Sequence, residues 1–266
     1  MRMPVALTIA GSDSGGGAGI QADLKTFAAL GVHGTSAITA ITAQNTVSVT
    51  EIHEVPVRVI RAQIDAVVRD IGVDAAKTGM LASAEIIEEV SLAIREHGIR
   101  KLVVDPVMVA KAGARLLHSD AIAAMYRFLL PLADVVTPNI PEAEVLLGRT
   151  LVTVDDRRQA ARDLVALGPR AAVVKAGHVE DDAEAIDIFW DGDDLVELPA
   201  HRIDTKNTHG SGCVFSAAIA ARLAKGDDRL VAVRAAKAFI TAAIGRSIAI
   251  GRGHGPVNPM FGLEPD

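Results

Sequence analysis

The chain contains one cysteine among 266 residues, and it has no run of five lysines or arginines. A single cysteine excludes an intrachain disulfide and a cysteine-rich zinc site. With a net charge of −6, the chain lacks the clustered positive charge that binds nucleic acids and anionic membranes. No apolar run approaches the roughly 20 residues that span a bilayer. We therefore expect a cytoplasmic protein with no nucleic-acid or membrane partner.

Aromatic residues make up only 3% of the chain, whereas half of it is hydrophobic. The apolar residues are mainly Ala, Val, Ile and Leu, which suit a parallel sheet covered on both faces by helices. Short apolar runs alternate with longer helical patterns, and this alternation predicts βαβ units. The length would permit two domains, but no repeat or linker divides the chain. We predict an α/β protein with one domain over residues 1–266.

The predicted elements follow this alternation along the chain. The stretch Gly34–Val55 breaks it, and we expect extended strands there that leave the main sheet and form a lid or an interface. The predicted strands are Val5–Ala10, Val73–Lys77, Lys101–Asp105, Asp134–Thr137, Ala171–Lys175 and Ile186–Trp190. The predicted helices are Ile20–Leu30, Val59–Asp70, Ser83–Glu96, Asp120–Leu130, Asp155–Leu167, Val214–Ala224 and Arg229–Ser247.

Polar residues and glycines follow five of the predicted strands at the point where each strand ends. Because open parallel sheets bind ligands beyond the carboxyl ends of their strands, these five loops predict one shared site. The first loop, residues 11–19, is rich in glycine. It has no Gly-Lys-Ser/Thr ending and is therefore not a Walker A loop, and it matches G-x-G-x-x-G poorly. Two interpretations stay open: close approach of a ligand to this backbone, with Asp23 on the next helix, or a flexible turn with Asp23 in solvent.

The loop Asn207–Cys213 gives the strongest signal, because it places small residues at the start of an Ala-rich helix. Such a start exposes backbone N–H groups to an anion, and the helix dipole adds positive potential. These groups could stabilise the charge on a transferring phosphoryl group. The same potential is expected to lower the pKa of the Cys213 thiol, which could then take a proton from a substrate hydroxyl. The alternative for Cys213 is a buried apolar side chain.

Three further oxygen-bearing residues and two lysines complete the candidate residues of the predicted site. Asp105, Asn139 and Glu142 could surround Mg²⁺, although Asp105 could equally be a turn residue and Glu142 a carboxylate in the first turn of a helix. Lys175 ends a strand at the predicted crevice and needs an anionic partner there. Lys237 lies in the middle of a helix, and its spacing favours a solvated side chain.

Seven motifs between residues 10 and 258 resemble, in order, those of the bacterial hydroxymethylpyrimidine/phosphomethylpyrimidine kinases of thiamine biosynthesis. The chain departs from the family pattern at Ser211, where the family more often has Thr, but both residues offer a hydroxyl and an N–H group. The motifs are residues 10–23, 42–46, 77–81, 105–108, 137–143, 207–213 and 253–258.

The resemblance implies a ribokinase-like fold, which is a three-layer αβα sandwich, and a homodimer. It implies two ATP-dependent phosphorylations, of 4-amino-5-hydroxymethyl-2-methylpyrimidine and then of its monophosphate, with Mg²⁺. Gln44 corresponds to the residue that hydrogen-bonds the pyrimidine, and Cys213 to the family's base, beside Gly210, Ser211 and Gly212. Further matches are Gly11, Asp23, Met80 and Val107 around the pyrimidine, Asn139, Lys175, Thr208 and Lys237 around the nucleotide, and Asp105 and Glu142 around Mg²⁺.

Two rival functions remain. A pyridoxal or pyridoxine kinase shares the fold and also acts on a hydroxymethyl group of a flat heterocycle, so that dual activity stays open. A non-catalytic nucleotide-binding protein is the rival of another class, but Cys213, Lys175 and the glycines, which such a protein could lose, are all present.

Overall fold

The computed structural model describes residues 2–108, 120–177 and 184–263. Nine strands in these residues form one sheet, in the order β3-β2-β1-β4-β5-β6-β7-β8-β9. Neighbouring strands from β2 to β7 run parallel, whereas β3, β8 and β9 pair antiparallel with their neighbours. The strands are β1 (Val5–Asp13), β2 (His33–Gln44), β3 (Val49–Glu54), β4 (Ala75–Thr78), β5 (Leu102–Val104), β6 (Val135–Val136), β7 (Ala172–Val174), β8 (Asp187–Trp190) and β9 (Leu195–Leu198).

Helices cover both faces of this sheet, and two separate hydrophobic clusters fill the space between the layers. The central strands are buried on both sides, as expected for short branched residues in a parallel sheet. No helix in the described ranges is long and apolar enough to cross a membrane. The helices are α1 (Gly19–Ala29), α2 (Val57–Asp70), α3 (Ala84–Glu96), α4 (Ala121–Ala124), α5 (Ile140–Leu147), α6 (Val154–Ala166), α7 (Ser211–Ala224) and α8 (Arg229–Gly245).

The stretch Gly34–Val55 is extended, as predicted, but the expectation that it leaves the main sheet is wrong. Strand β2 pairs with β1 over nearly its whole length, from Val5↔His33 to Asp13↔Thr42. The alternation in β2 buries Thr35, Ala37 and Thr39, and Ala40 is buried as well. Only β3 is largely exposed, as the antiparallel edge strand.

Two other regions differ from the predicted elements. The predicted helix Asp120–Leu130 is α-helical only over Ala121–Ala124, then continues as a π-helical turn over Met125–Leu129 and a 3₁₀ turn over Leu130–Leu132. Pro131 lies in that last turn, where it cannot donate a helical hydrogen bond. Strand β9 was not predicted, and of helix α5 only a first turn at Glu142 was considered, because both elements are short and their apolar residues form no clear period.

Candidate active site

The carboxyl ends of five strands meet at one edge of the sheet, as the sequence predicts. Backbone hydrogen bonds join them stepwise: Gly79 N donates to Ile9 O, Asp105 N to Thr78 O, Thr137 N to Val104 O and Lys175 N to Pro138 O. Because each bond is 2.9–3.0 Å long, the residues that follow these strands are held in a fixed register. The edge therefore presents one crevice lined by several loops.

The start of α7 lies against the Gly-rich loop that follows β1. Gly210 adopts φ +78°, and a Cβ atom there would overlap the carbonyl oxygen of Gly17. Glycine is therefore required at this position. Ser211 N donates to Thr208 O, and the first helical bond runs from Val214 N to Gly210 O.

The N–H groups of Gly212 and Cys213 have no acceptor among the described residues. Free N–H groups at a helix start favour an anion, as predicted for this loop. A Cβ atom at Gly212 would lie 3.3 Å from Lys175 Nζ and 3.8 Å from Asp105 Oδ2. The helix start and the lysine–aspartate pair therefore border the same small volume.

Cys213 is half-buried in the first turn of α7. Burial raises the pKa of its thiol to about 11, although Lys77 and a hydrogen bond from the Gly19 backbone act in the opposite direction. The predicted lowering of this pKa is wrong, because loss of hydration and the nearby carboxylates of Asp23 and Asp105 outweigh the stabilising groups. The thiol is thus mainly protonated near neutral pH.

Lys175 has the anionic partner that its position requires. Its Nζ donates to Asp105 Oδ1 at 2.9 Å, and the lysine side chain keeps 13% of its surface exposed. Burial alone would raise the pKa of Asp105, but Lys175 and Lys77 lower it below its ordinary value. The pair therefore stays ionised, with its ammonium group partly accessible from the crevice.

Asn139 and Glu142 form a capping box at the start of α5. Glu142 N donates to Asn139 Oδ1 at 2.9 Å, and Asn139 N donates to Glu142 Oε2 at 2.8 Å. The interpretation of Glu142 as a first-turn carboxylate is confirmed. Burial raises its pKa to about 7, although Lys175 lowers it. Such a carboxyl group would be stabilised in its ionised form by an added cation.

A second lysine–aspartate pair lies beneath the crevice and was not predicted. Lys77 Nζ contacts the Asp23 carboxylate at 2.9 and 3.1 Å, and Thr8 Oγ1 donates to Asp23 at 2.6 Å. Both charged side chains are fully buried. The solvated alternative for Asp23 is wrong, and its oxygens are occupied by protein donors. A lysine inside an apolar strand was the sequence signal for this pair.

The Gly-rich loop folds around the side chain of Asp13. The carboxylate accepts hydrogen bonds from the backbone N–H groups of Gly15, Gly17 and Ala18 at 2.8–3.1 Å, and His209 Nε2 lies 2.8 Å away. These three N–H groups are therefore not free to bind a ligand. The predicted close approach of a ligand to the backbone of residues 11–19 does not hold for them. Sequence reasoning missed Asp13 and His209, although both lie inside its motifs.

Four of the five residues predicted around the pyrimidine lie at strand ends, and the fifth, Asp23, lies in α1. Gly11 faces Met80, whose Sδ lies 3.1 Å from the position of a Gly11 Cβ atom. Gln44 is half-buried at the end of β2, with its Nε2 3.4 Å from His209 Nε2. Val107 is half-buried, and its N–H donates to Asp105 O at 2.8 Å. Asp23 is fully buried.

Lys237 is not solvated, so the expectation from its spacing is wrong. Its Nζ lies 2.7 Å from Asp187 Oδ2 and donates to Ala185 O at 3.0 Å. The other oxygen of Asp187 accepts from Ala176 N at 2.9 Å. The lysine therefore braces the segment that follows Lys175.

Comparisons with known proteins agree with this arrangement. The family profile described as phosphomethylpyrimidine kinase matches residues 13–258. A hydroxymethylpyrimidine/phosphomethylpyrimidine kinase of Rhizobium meliloti is 53% identical over 259 residues, which cover 96% of each chain.

Two solved structures share the fold. A pyridoxal kinase of Bacillus subtilis in complex with ADP gives a TM-score of 0.92 at 43% identity, covering 99% of this chain and all of that one. A phosphomethylpyrimidine kinase of Clostridium difficile gives 0.81 at 42% identity, covering 91% of this chain and all of that one. The predicted ribokinase-like α/β fold is confirmed, and the chain is a kinase that belongs to the phosphomethylpyrimidine kinase family.

Proposed function

We propose that the protein phosphorylates the hydroxymethyl group of 4-amino-5-hydroxymethyl-2-methylpyrimidine with ATP, and then converts the monophosphate to the diphosphate, for thiamine diphosphate synthesis. One observation carries the proposal: the free N–H groups at the start of α7 border the volume that Lys175 and Asp105 also line. Such a site can hold and neutralise a transferring phosphoryl group beside an acceptor hydroxyl.

ATP would be held through its phosphates by this helix start and by Lys175. The predicted contacts of Asn139, Thr208 and Lys237 with the nucleotide remain part of the proposal. Lys237 is already paired with Asp187, so its contribution would be to brace the neighbouring backbone. The similarity to a Bacillus subtilis pyridoxal kinase that was solved with ADP supports a nucleotide as a ligand of this fold.

The carboxylates of Asp105 and Glu142 fit a magnesium ion that is held mainly by phosphate oxygens and water. No group of three or more potential metal-ligating side chains exists in the described residues, which disfavours a closed protein cage. Mg²⁺ commonly uses only one or two carboxylates together with substrate phosphates. The raised pKa of Glu142 is consistent with a site that gains a cation. Bound Mg²⁺ would neutralise charge on the phosphate oxygens.

Cys213 would act on the acceptor hydroxyl in the first phosphorylation. Because its pKa is about 11, only a small thiolate fraction could accept the proton at neutral pH. In the second phosphorylation the attacking oxygen belongs to a phosphate and needs little help from a base. Cys213 is therefore needed chiefly for the first step. A reducing compartment, such as the proposed cytoplasmic location, would keep the thiol available.

Pyridoxal kinase is the second candidate function, and the structural similarity to the Bacillus subtilis enzyme favours it specifically. Measuring ADP release with the aminopyrimidine, its monophosphate and pyridoxal separates the candidates. We expect turnover of both pyrimidines. ADP release with pyridoxal but with neither pyrimidine would reject the proposal. ADP release with none of the three compounds would favour a non-catalytic nucleotide-binding protein.

We also propose that residues 1–266 act as one kinase domain and assemble as a homodimer. Ile41, Val47 and Ile52 expose between 38% and 57% of their surface on the β2–β3 edge, and an exposed apolar edge favours association. Of the two roles predicted for Gly34–Val55, a lid or an interface, this proposal adopts the interface. Sedimentation of Ile41→Glu tests it, because a monomer is expected where the unsubstituted protein is a dimer.

A further inference from the structure

The Asp13–His209 pair lies next to Gln44, and the hydrogen bonds around the three side chains form a connected network. Asp13 and His209 are buried, with exposed fractions of 3% and 8%. Gln44 is held by its backbone, since Ser14 Oγ contacts both its N (2.8 Å) and its O (2.7 Å). Thr42, buried beside it, donates to Ser12 O at 3.0 Å. The Gln44 amide thus has buried polar neighbours on two sides.

The first step concerns the proton on His209. The Asp13 carboxylate accepts three backbone N–H groups besides its contact with His209. Burial alone would raise the pKa of Asp13, but His209 and the Gly15 N–H lower it overall. An ionised carboxylate only accepts hydrogen bonds. His209 Nε2, 2.8 Å from Asp13 Oδ2, must therefore carry a hydrogen and donate a hydrogen bond to Asp13.

The second step concerns the amide of Gln44. One end of the amide lies 3.4 Å from His209 Nε2, and the other lies 3.2 Å from Thr42 Oγ1. A protonated Nε2 cannot accept a hydrogen bond, so the amide oxygen is favoured on the His209 side. The NH₂ group then faces Thr42, whose oxygen can accept because its own hydrogen goes to Ser12 O. In this orientation no donor of the network faces another donor.

We propose that the Asp13–His209 pair fixes the orientation of the Gln44 amide, and that His209 is a positioning residue for the choice of pyrimidine. The fixed amide keeps one N–H and one oxygen lone pair for a ligand. An aminopyrimidine offers an N–H donor beside a ring-nitrogen acceptor, whereas its 4-oxo analogue offers these groups in the opposite order. The oxo analogue would require a turned amide, which places NH₂ against the proton of His209. The inference rests on the proposed function.

Calorimetric titration without ATP tests this, using the aminopyrimidine and its 4-oxo analogue as ligands. We expect the unsubstituted protein to prefer the aminopyrimidine, and His209→Leu to reduce the preference by about tenfold or more, because nothing then disfavours the turned amide. His209→Gln should restore most of it, since its NH₂ group can donate to Asp13. His97→Leu is the matched control: His97 Nε2 contacts Asp65 at 2.6 Å near the opposite edge of the sheet.

The outcomes separate the positioning role from a structural one. The inference would be overturned if His209→Leu weakened the binding of both ligands by the same factor and also lowered the melting temperature. If that variant does not fold, the ratio for His209→Gln decides: a preference within threefold of the unsubstituted protein supports the inference, and a lost preference overturns it. If the unsubstituted protein releases ADP with the pyrimidine but His209→Leu keeps the same preference for the aminopyrimidine, the inference is rejected and the proposed function is not. No binding or turnover of the pyrimidine by the unsubstituted protein rejects the proposed function as well.

Discussion

Two lysine–aspartate pairs lie at the same edge of the sheet and differ mainly in their access to solvent. Lys77 and Asp23 are fully buried, and Thr8 takes a further position on the carboxylate. Lys175 and Asp105 have a similar contact distance of 2.9 Å, but the lysine side chain is 13% exposed and borders Gly212. Ion pairs with similar geometry can therefore serve different purposes.

The difference shows which pair can respond to a ligand. A buried ion pair loses its hydration on folding, so its members depend on each other. Burial alone would lower the pKa of Lys77, but Asp23, Cys213 and Asp105 together hold it above its ordinary value, so the ammonium group keeps its charge beneath the crevice. Lys175 can exchange part of its contact with Asp105 for an incoming phosphate. We expect substitutions in the first pair to affect mainly stability, and in the second mainly activity.

The largest expected effect is the loss of stability in Lys77→Met, which leaves the Asp23 carboxylate buried without its partner. We expect the free energy of unfolding to fall by about 3–5 kcal/mol, measured by urea denaturation. The double substitution Lys77→Met/Asp23→Leu should recover part of this loss, because it removes the unpaired charge. A loss below about 1 kcal/mol in the single variant would contradict the distinction between the pairs.

The next effect is kinetic and concerns Lys175→Met. We expect kcat/KM for ATP to fall by roughly 10²–10³-fold, because a charge that stabilises the transferring phosphoryl group is removed. Its stability should fall by only about 1–2 kcal/mol, since the buried Asp105 carboxylate still has the positive charge of Lys77 nearby. Lys101→Met is a suitable control, because Lys101 Nζ donates to Leu223 O at the opposite edge of the sheet. Unchanged kinetics in Lys175→Met would remove Lys175 from the proposed phosphate site.

The sequence is sufficient to predict which strand ends form the crevice, because five of them carry the polar residues that line it. Lys175 and the start of α7 are local features of this kind. The pairing of Lys77 with Asp23, 54 residues apart, is not local, and neither is that of Asp13 with His209. The pKa of Cys213 was mispredicted for the same reason: the helix start is visible in the sequence, whereas burial among Asp23, Lys77 and Asp105 is created by the tertiary fold.

A third prediction uses Cys213, which is close enough to both pairs for their charges to affect its pKa. Cys213→Ala should slow the first phosphorylation about 10²-fold and the second much less. Since the thiol pKa is about 11, the first step should also accelerate as the pH rises from 7 to 10, and Cys213→Ala should lose this dependence. Single-turnover assays of each step measure both effects. Equal losses in the two steps would rule out the base role.

The smallest expected effect concerns Glu142, which lies near the accessible pair. Its pKa of about 7 in the folded protein exceeds the value of about 4.3 in an unfolded chain, so the folded state binds more protons between these values. The contribution of Glu142 to stability is therefore full below about pH 4.3 and is lost as the pH rises through 7.

Glu142→Gln should remove this dependence, and the resulting difference in the free energy of unfolding between pH 4.5 and 8 should be roughly 2–3 kcal/mol. Glu144→Gln, on the same helix, is the matched control, and urea denaturation across this pH range measures both variants. Parallel pH profiles for the unsubstituted protein and Glu142→Gln would show that Lys175 and Asp105 compensate for the charge of Glu142. In that case Lys175 and Asp105 would fix the charge of Glu142 as firmly as Lys77 and Asp23 fix each other's charges. The distinction between an adaptable pair and a buried structural pair would then be wrong.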